Sequence, residues 1–87
     1  MLVRKVILQL ETGLHARPAS ELVKIASGFT SEIVLVKDGQ EYNAKSILGL
    51  LSIGAGKGDE FIIKAKGHDA QEAIERIEDF LANRVYS

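Results

Sequence analysis

Glu32-Ile33-Val34-Leu35-Val36-Lys37-Asp38-Gly39-Gln40-Glu41-Tyr42-Asn43 is the segment from which the fold is read. Two extended runs, Glu32 to Lys37 and Gln40 to Asn43, flank Asp38-Gly39, a strong two-residue hairpin signal because so tight a turn needs positive φ. Strands two and three are thus an antiparallel pair. Downstream, Glu60 to Lys66 alternates cleanly, with Phe61, Ile63 and Ala65 facing one way and Glu60, Ile62, Lys64 and Lys66 the other. This is a fourth strand with one wet face. Upstream, Leu2 to Leu10 reads as the first strand. Its even set, Leu2, Val6, Leu8 and Leu10, is more apolar than the odd set holding Lys5 and Gln9, so the even face is expected to point to the core.

Helical spacing fills the gaps between these runs. Ala19, Leu22, Val23, Ala26 and Phe29 recur with a period that gives a helix from Ala16 to Ser27, ending near Gly28, with Ser20, Glu21 and Lys24 on its opposite face. Ala70, Ala73, Ile74, Ile77 and Leu81, with Phe80 beside them, trace the stripe of a closing helix, for which Asp69 and Glu72 supply an N-cap and a capping-box partner. Ser46 opens a short apolar helix, and the glycine-rich Gly54 to Gly58 turns the chain into the last strand. The order is strand, helix, strand, strand, helix, strand, helix. It predicts an α+β fold in which three helices cover one face of a four-stranded antiparallel sheet. Residues 1–87 show no internal repeat, linker or low-complexity segment and read as one domain.

Bulk properties exclude several classes of function. The composition, 46% hydrophobic and 26% charged, is that of a soluble globular domain, and no apolar stretch approaches a membrane span. Arg4 and Lys5 interrupt the first apolar segment, so no signal peptide is visible. With no cysteine, disulfide and thiolate chemistry are excluded, and cytoplasmic residence is the simplest expectation. A net charge of −1 and 6% aromatic residues argue against nucleic-acid binding, although a local basic patch around His15, Arg17 and Lys24 survives the neutral average. Gly54-Ala55-Gly56-Lys57-Gly58 is not a nucleotide loop: Leu51 stands where the first glycine is needed and Gly58 where a hydroxyl is. No histidine or carboxylate cluster has metal-ligand spacing, no cofactor is implied, and no second catalytic group accompanies His15.

The chemistry concentrates in Gly13-Leu14-His15-Ala16-Arg17-Pro18-Ala19. Proline has no N–H and a φ near the helical value, so Pro18 marks a first helical turn and places His15 at or just before the N-cap. A helix start carries unpartnered N–H groups and the positive end of the macrodipole, which favour an anion. Arg17 adds a permanent cation with a planar fork of donors. Histidine is the side chain here that both accepts and donates a phosphoryl group near neutral pH. His68, beside Asp69, has no such context and is expected to be a solvated loop residue.

With Thr12-Gly13-Leu14-His15-Ala16-Arg17-Pro18-Ala19 and Asn43-Ala44-Lys45-Ser46-Ile47-Leu48-Gly49-Leu50-Leu51-Ser52 at matching spacing, the chain resembles HPr, the histidine phosphocarrier of the bacterial phosphoenolpyruvate:sugar phosphotransferase system. The resemblance covers nearly the whole chain and implies an open-faced β-sandwich. It also implies that His15 is phosphorylated, on Nδ1, by enzyme I and passes the group to a sugar-specific IIA protein or domain. Arg17 and the first-turn amides near Ala16 and Arg17 then stabilise the phosphoryl group, and Leu14, Ser20, Lys24, Ile47, Leu48 and Leu51 dock the partner. Such a protein is a stoichiometric carrier, not an independent catalyst, and a monomer is expected for transient docking on several partners.

Ser46 is first of all an N-cap. A two-turn surface helix with almost no polar face cannot bury both sides, so Leu50 and Ile53 are expected to pack inward and Leu48 and Leu51 to lie exposed as a partner surface. The resemblance to the Gram-positive type of HPr implies that Ser46 is phosphorylated by HPr kinase/phosphorylase and read by catabolite control protein A. Relatives often carry methionines where this chain has Leu48 and Leu51, and leucine keeps the patch apolar but less adaptable. Two other readings stay open. One is a regulatory paralogue acting in catabolite repression or nitrogen-linked signalling, against which His15 itself argues. The other is a small ligand-binding or interaction module dimerising through Leu48 and Leu51, to which His15→Ala would be harmless.

Overall fold

The computed structural model describes residues 1–11 and 13–82, so Thr12 and the segment ending Val85-Tyr86-Ser87 lie outside the described residues. The elements run β1 (Leu2–Ile7), α1 (Ala16–Ser27), β2 (Glu32–Lys37), β3 (Gln40–Asn43), α2 (Ile47–Leu51), β4 (Glu60–Lys66) and α3 (Ala70–Ala82). The four strands form one antiparallel sheet in the order β1-β4-β2-β3. The hairpin expected at Asp38-Gly39 is there: both residues have positive φ, 52° and 81°, and Lys37 pairs with Gln40 across the turn.

Register explains which face is covered. Ile33 opposes Ala65, Leu35 opposes Ile63, and Val6 opposes Phe61, and all of these are buried. Against them pack Ala19, Leu22 and Ala26 of α1, Leu50 of α2, and Ala73, Ile74, Ile77, Phe80 and Leu81 of α3, in one hydrophobic core. The other sheet face stays open to water, with Lys5–Glu60 at 3.3 Å bridging the neighbouring β1 and β4 and Lys64–Glu41 at 3.2 Å reaching over β2 from β4 to β3. α3 lies under β1 and β4, while α2 sits beside β3 and α1.

Two sequence expectations need correction. The first strand ends at Ile7, not Leu10, and Leu2, at the sheet's end, is exposed despite belonging to the apolar set. Leu8 still exchanges bonds with the loop before β4, its N–H to Asp59 O and its carbonyl from Gly58 N, both at 2.8 Å. The next N–H, that of Gln9, then turns to the Leu81 carbonyl at 2.8 Å. Satisfying the C-terminal end of α3 thus draws the chain off the sheet. Second, Asp69 is not simply a cap for α3. Its carboxylate reaches across the fold to the segment before β2, accepting Thr30 N–H at 2.9 Å, Ser31 N–H at 3.0 Å and the hydroxyl of Ser31. These bonds hold its carboxyl down at about 2, the Ser31 hydroxyl acting most strongly and the Thr30 amide next.

Candidate functional site

His15 is the N-cap of α1, with extended backbone (φ −96°, ψ −165°) and no capping bond from its side chain to the helix. Its carbonyl already accepts Ala19 N–H at 2.8 Å, so the helix begins at this residue. Ala16, Arg17 and Pro18 are the first three helical residues, and Pro18 has no N–H to lose there. The amides of Ala16 and Arg17 precede any intrahelical acceptor and lie at the positive end of the helix. His15, Ala16 and Arg17 are all exposed. An accessible imidazole, a guanidinium and two main-chain donors thus share one helix start, an arrangement suited to a tetrahedral anion.

What precedes His15 is fixed from outside the helix. The Leu14 N–H donates to the Ala55 carbonyl at 3.1 Å, and Leu14 is 3% exposed, inside the core. A docking role for Leu14 is therefore corrected: its side chain anchors the loop and presents nothing to a partner. Gly13 has φ +80°, and a Cβ placed on it would stand 2.5 Å from the same Ala55 carbonyl. Only glycine fits there. Alongside, Lys57 Nζ meets Glu11 at 2.7 Å, a contact that holds the Glu11 carboxyl below its ordinary range.

Ser46 is the N-cap of α2 and, unlike His15, caps its own helix: its Oγ accepts Gly49 N–H at 3.1 Å. Among the described residues, the exposed large hydrophobic side chains fall into two groups, Met1, Leu2, Val3 and Ile7 on or next to β1, and Ile47, Leu48 and Leu51 on α2. Leu48 is 77% exposed and Leu50 fully buried, as the helical spacing predicts. Ser20 and Lys24 are exposed on α1, which packs beside α2. His68 lies away from this constellation, exposed, with Nδ1 3.2 Å from Thr30 Oγ1.

Residues 2–83 match the family described as PTS HPr component phosphorylation site. The chain belongs to the HPr family. It is 45% identical over 85 residues to the HPr-like protein Crh of Bacillus subtilis (strain 168), covering 98% of this chain and 100% of that one. The phosphocarrier protein HPr of Bacillus anthracis superposes with a TM-score of 0.89 at 39% identity, covering 92% and 95% of the two chains. A crystal structure of Bacillus subtilis Crh, described as a swapped, intertwined dimer, gives 0.78 at 44% identity and full coverage of both chains. That dimer gives the expected monomeric state no support.

As an HPr-family member the protein is a phosphocarrier, not an independent catalyst. Among the described residues no group of three or more His, Asp or Glu could hold a metal ion, and no helix is long and apolar enough to cross a membrane. The seat formed by Ala55, and the Asp59 behind it, had no signal in the sequence beyond the glycines at 54, 56 and 58, which read as a turn and nothing more.

Proposed function

We propose that this HPr-family protein carries phosphoryl groups in the phosphotransferase system of the cytoplasm, accepting one on His15 Nδ1 from phosphorylated enzyme I and passing it to a IIA protein or domain. The observation that carries the reading is His15 at the α1 N-cap, exposed, with Arg17 and the amides of Ala16 and Arg17 in the same first turn. In-line transfer between two histidines needs positioning and charge stabilisation more than acid–base help, and this turn supplies both. Ser20 and Lys24 of α1 and Ile47, Leu48 and Leu51 of α2 form the docking face, apolar with a basic rim. Residues 1–87 act as one HPr domain.

Ser46 is the regulatory site in this reading. A phosphate there meets a helix start that tolerates it, so its effect falls on partners: two negative charges beside Leu48 and Leu51 repel an acidic enzyme I surface and offer an arginine-bearing regulator such as catabolite control protein A a new contact. The enzyme that adds it is HPr kinase/phosphorylase.

Intact-mass spectrometry after incubation with enzyme I, Mg²⁺ and phosphoenolpyruvate tests the main reading. One acid-labile phosphoryl group on the wild type and none on His15→Ala is the expected result. A second reading, a regulatory paralogue in catabolite repression, is favoured by the 45% identity to Crh. It gains if the cognate enzyme I leaves His15 unmodified while the serine kinase and ATP add an acid-stable phosphate to Ser46.

A further inference from the structure

We infer that Asp59 is a positioning residue for transfer at His15, acting through the Ala55–Gly56 peptide; the inference rests on the phosphocarrier reading. Gly56 N–H donates to Asp59 Oδ2 at 2.9 Å, and Asp59 N–H donates back to the Gly56 carbonyl at 3.1 Å. Gly56 N–H and the Ala55 carbonyl belong to the same rigid peptide unit and point in opposite directions. Asp59 therefore holds one end of that unit while the other end receives Leu14 N–H at 3.1 Å and lies against Gly13. The two residues before His15 both rest on a carbonyl whose orientation Asp59 sets.

The base of this device is itself fixed. Leu8 exchanges two bonds of 2.8 Å with Gly58 and Asp59, tying the loop to the end of the first strand. Within the loop the constraint is weak, since Gly54 and Gly58 adopt positive φ, +67° and +94°, and nothing stands within 4 Å of a Cβ placed on Gly56. Without the Asp59 carboxylate the peptide can rotate, Leu14 N–H loses its acceptor, and the backbone entering His15 is no longer held. Lys37 Nζ, 4.0 Å from Asp59 Oδ2, is the competing partner of that carboxylate.

The test compares Asp59→Ala, which removes the acceptor, with Asp59→Asn, which keeps an acceptor oxygen and removes the charge. Transfer from enzyme I is followed at a temperature where all three proteins are folded by circular dichroism, and Leu14 N–H exchange is followed by NMR. In Asp59→Ala, kcat is expected to fall about tenfold, with KM for this protein changed less than about twofold because the docking face is untouched. Leu14 N–H exchanges faster in that variant, and Asp59→Asn behaves as wild type in both readouts. A wild-type rate in Asp59→Ala overturns the inference. So does an Asp59→Asn as slow as Asp59→Ala, which would assign the effect to charge facing Lys37. If the wild type takes no phosphoryl group at all, the carrier reading falls, and Leu14 exchange decides alone: unchanged in Asp59→Ala, it overturns the inference. Gly56→Pro deletes the same N–H from the other side and replaces Asp59→Ala if that variant does not fold.

Discussion

The N-termini of α1 and α2 use the same helix-start physics in opposite ways. At α2 the N-cap side chain satisfies its own helix, Ser46 Oγ taking Gly49 N–H, so the start is closed and locally determined. At α1 the N-cap side chain makes no such bond, and the start is located by groups far away in sequence: Ala55 under Gly13 and Leu14, and core packing of Leu14. The other end of α1 is held remotely too, Lys45 Nζ reaching the Phe29 carbonyl at 2.8 Å and Asp69 taking the amides of Thr30 and Ser31. A helix end that must keep its donors available for an anion cannot also use them for its own cap, so its position has to come from tertiary contacts.

That contrast is broken most severely at Gly13. Gly13→Ala puts a side chain at φ +80° and a Cβ 2.5 Å from the Ala55 carbonyl. Backbone strain alone is worth roughly 1–3 kcal/mol, and relieving the overlap must also shift the Ala55 bond to Leu14. Urea denaturation is expected to show a loss at the upper end of that range, with phosphorylation of His15 slowed in the molecules that remain folded. An unchanged urea midpoint would mean that the seat is not what locates α1.

The corresponding change at the other helix is milder. Ser46→Ala removes one capping bond and should cost ~1 kcal/mol, read as a lower urea midpoint at unchanged m. Ser46→Asp sharpens the comparison, because aspartate also caps while adding a charge. Its stability is expected within about 0.5 kcal/mol of wild type. KM for enzyme I rises by roughly tenfold at low salt, and raising the ionic strength shrinks the rise. If Ser46→Asp loses stability like Ser46→Ala yet keeps the wild-type KM, the serine is a cap and no switch.

The same division between local and remote determination decides what could be read from the sequence. Period-two alternation places Phe61, Ile63 and Ala65 inward, helical spacing separates Leu48 from Leu50, and Asp38-Gly39 dictates its own turn; each is settled by neighbours in the chain. That His15 and Arg17 stand at a helix start was legible for the same reason, since Pro18 marks that start from within the same first turn. Leu14 was not. A leucine before a surface helix is consistent with either docking or anchoring, and the contact that decides between them comes from Ala55, on a distant loop. Asp69 misleads in the same manner: Asp69 and Glu72 spell a capping box, but the main-chain N–H groups and the hydroxyls of Thr30 and Ser31 claim the carboxylate.

Asp69 also gives the smallest effect under ordinary conditions, one that appears only in acid. Its carboxyl sits at about 2 in the folded protein, below the ordinary carboxylate value, because the Ser31 hydroxyl and the Thr30 amide bind the ionised form. A group depressed in this way contributes its full stabilisation above the unfolded pKa, about 4, and loses it as pH falls toward the folded value. The urea midpoint should therefore be insensitive to this group from pH 7 to 5 and drop between about pH 4 and pH 2. Asp69→Asn, which does not titrate, should show a shallower drop over that window. Glu11, lowered by Lys57, acts in the same direction in both proteins and cancels in the comparison. Equal slopes for wild type and Asp69→Asn would show that the bonds to Thr30 and Ser31 do not favour the ionised carboxylate.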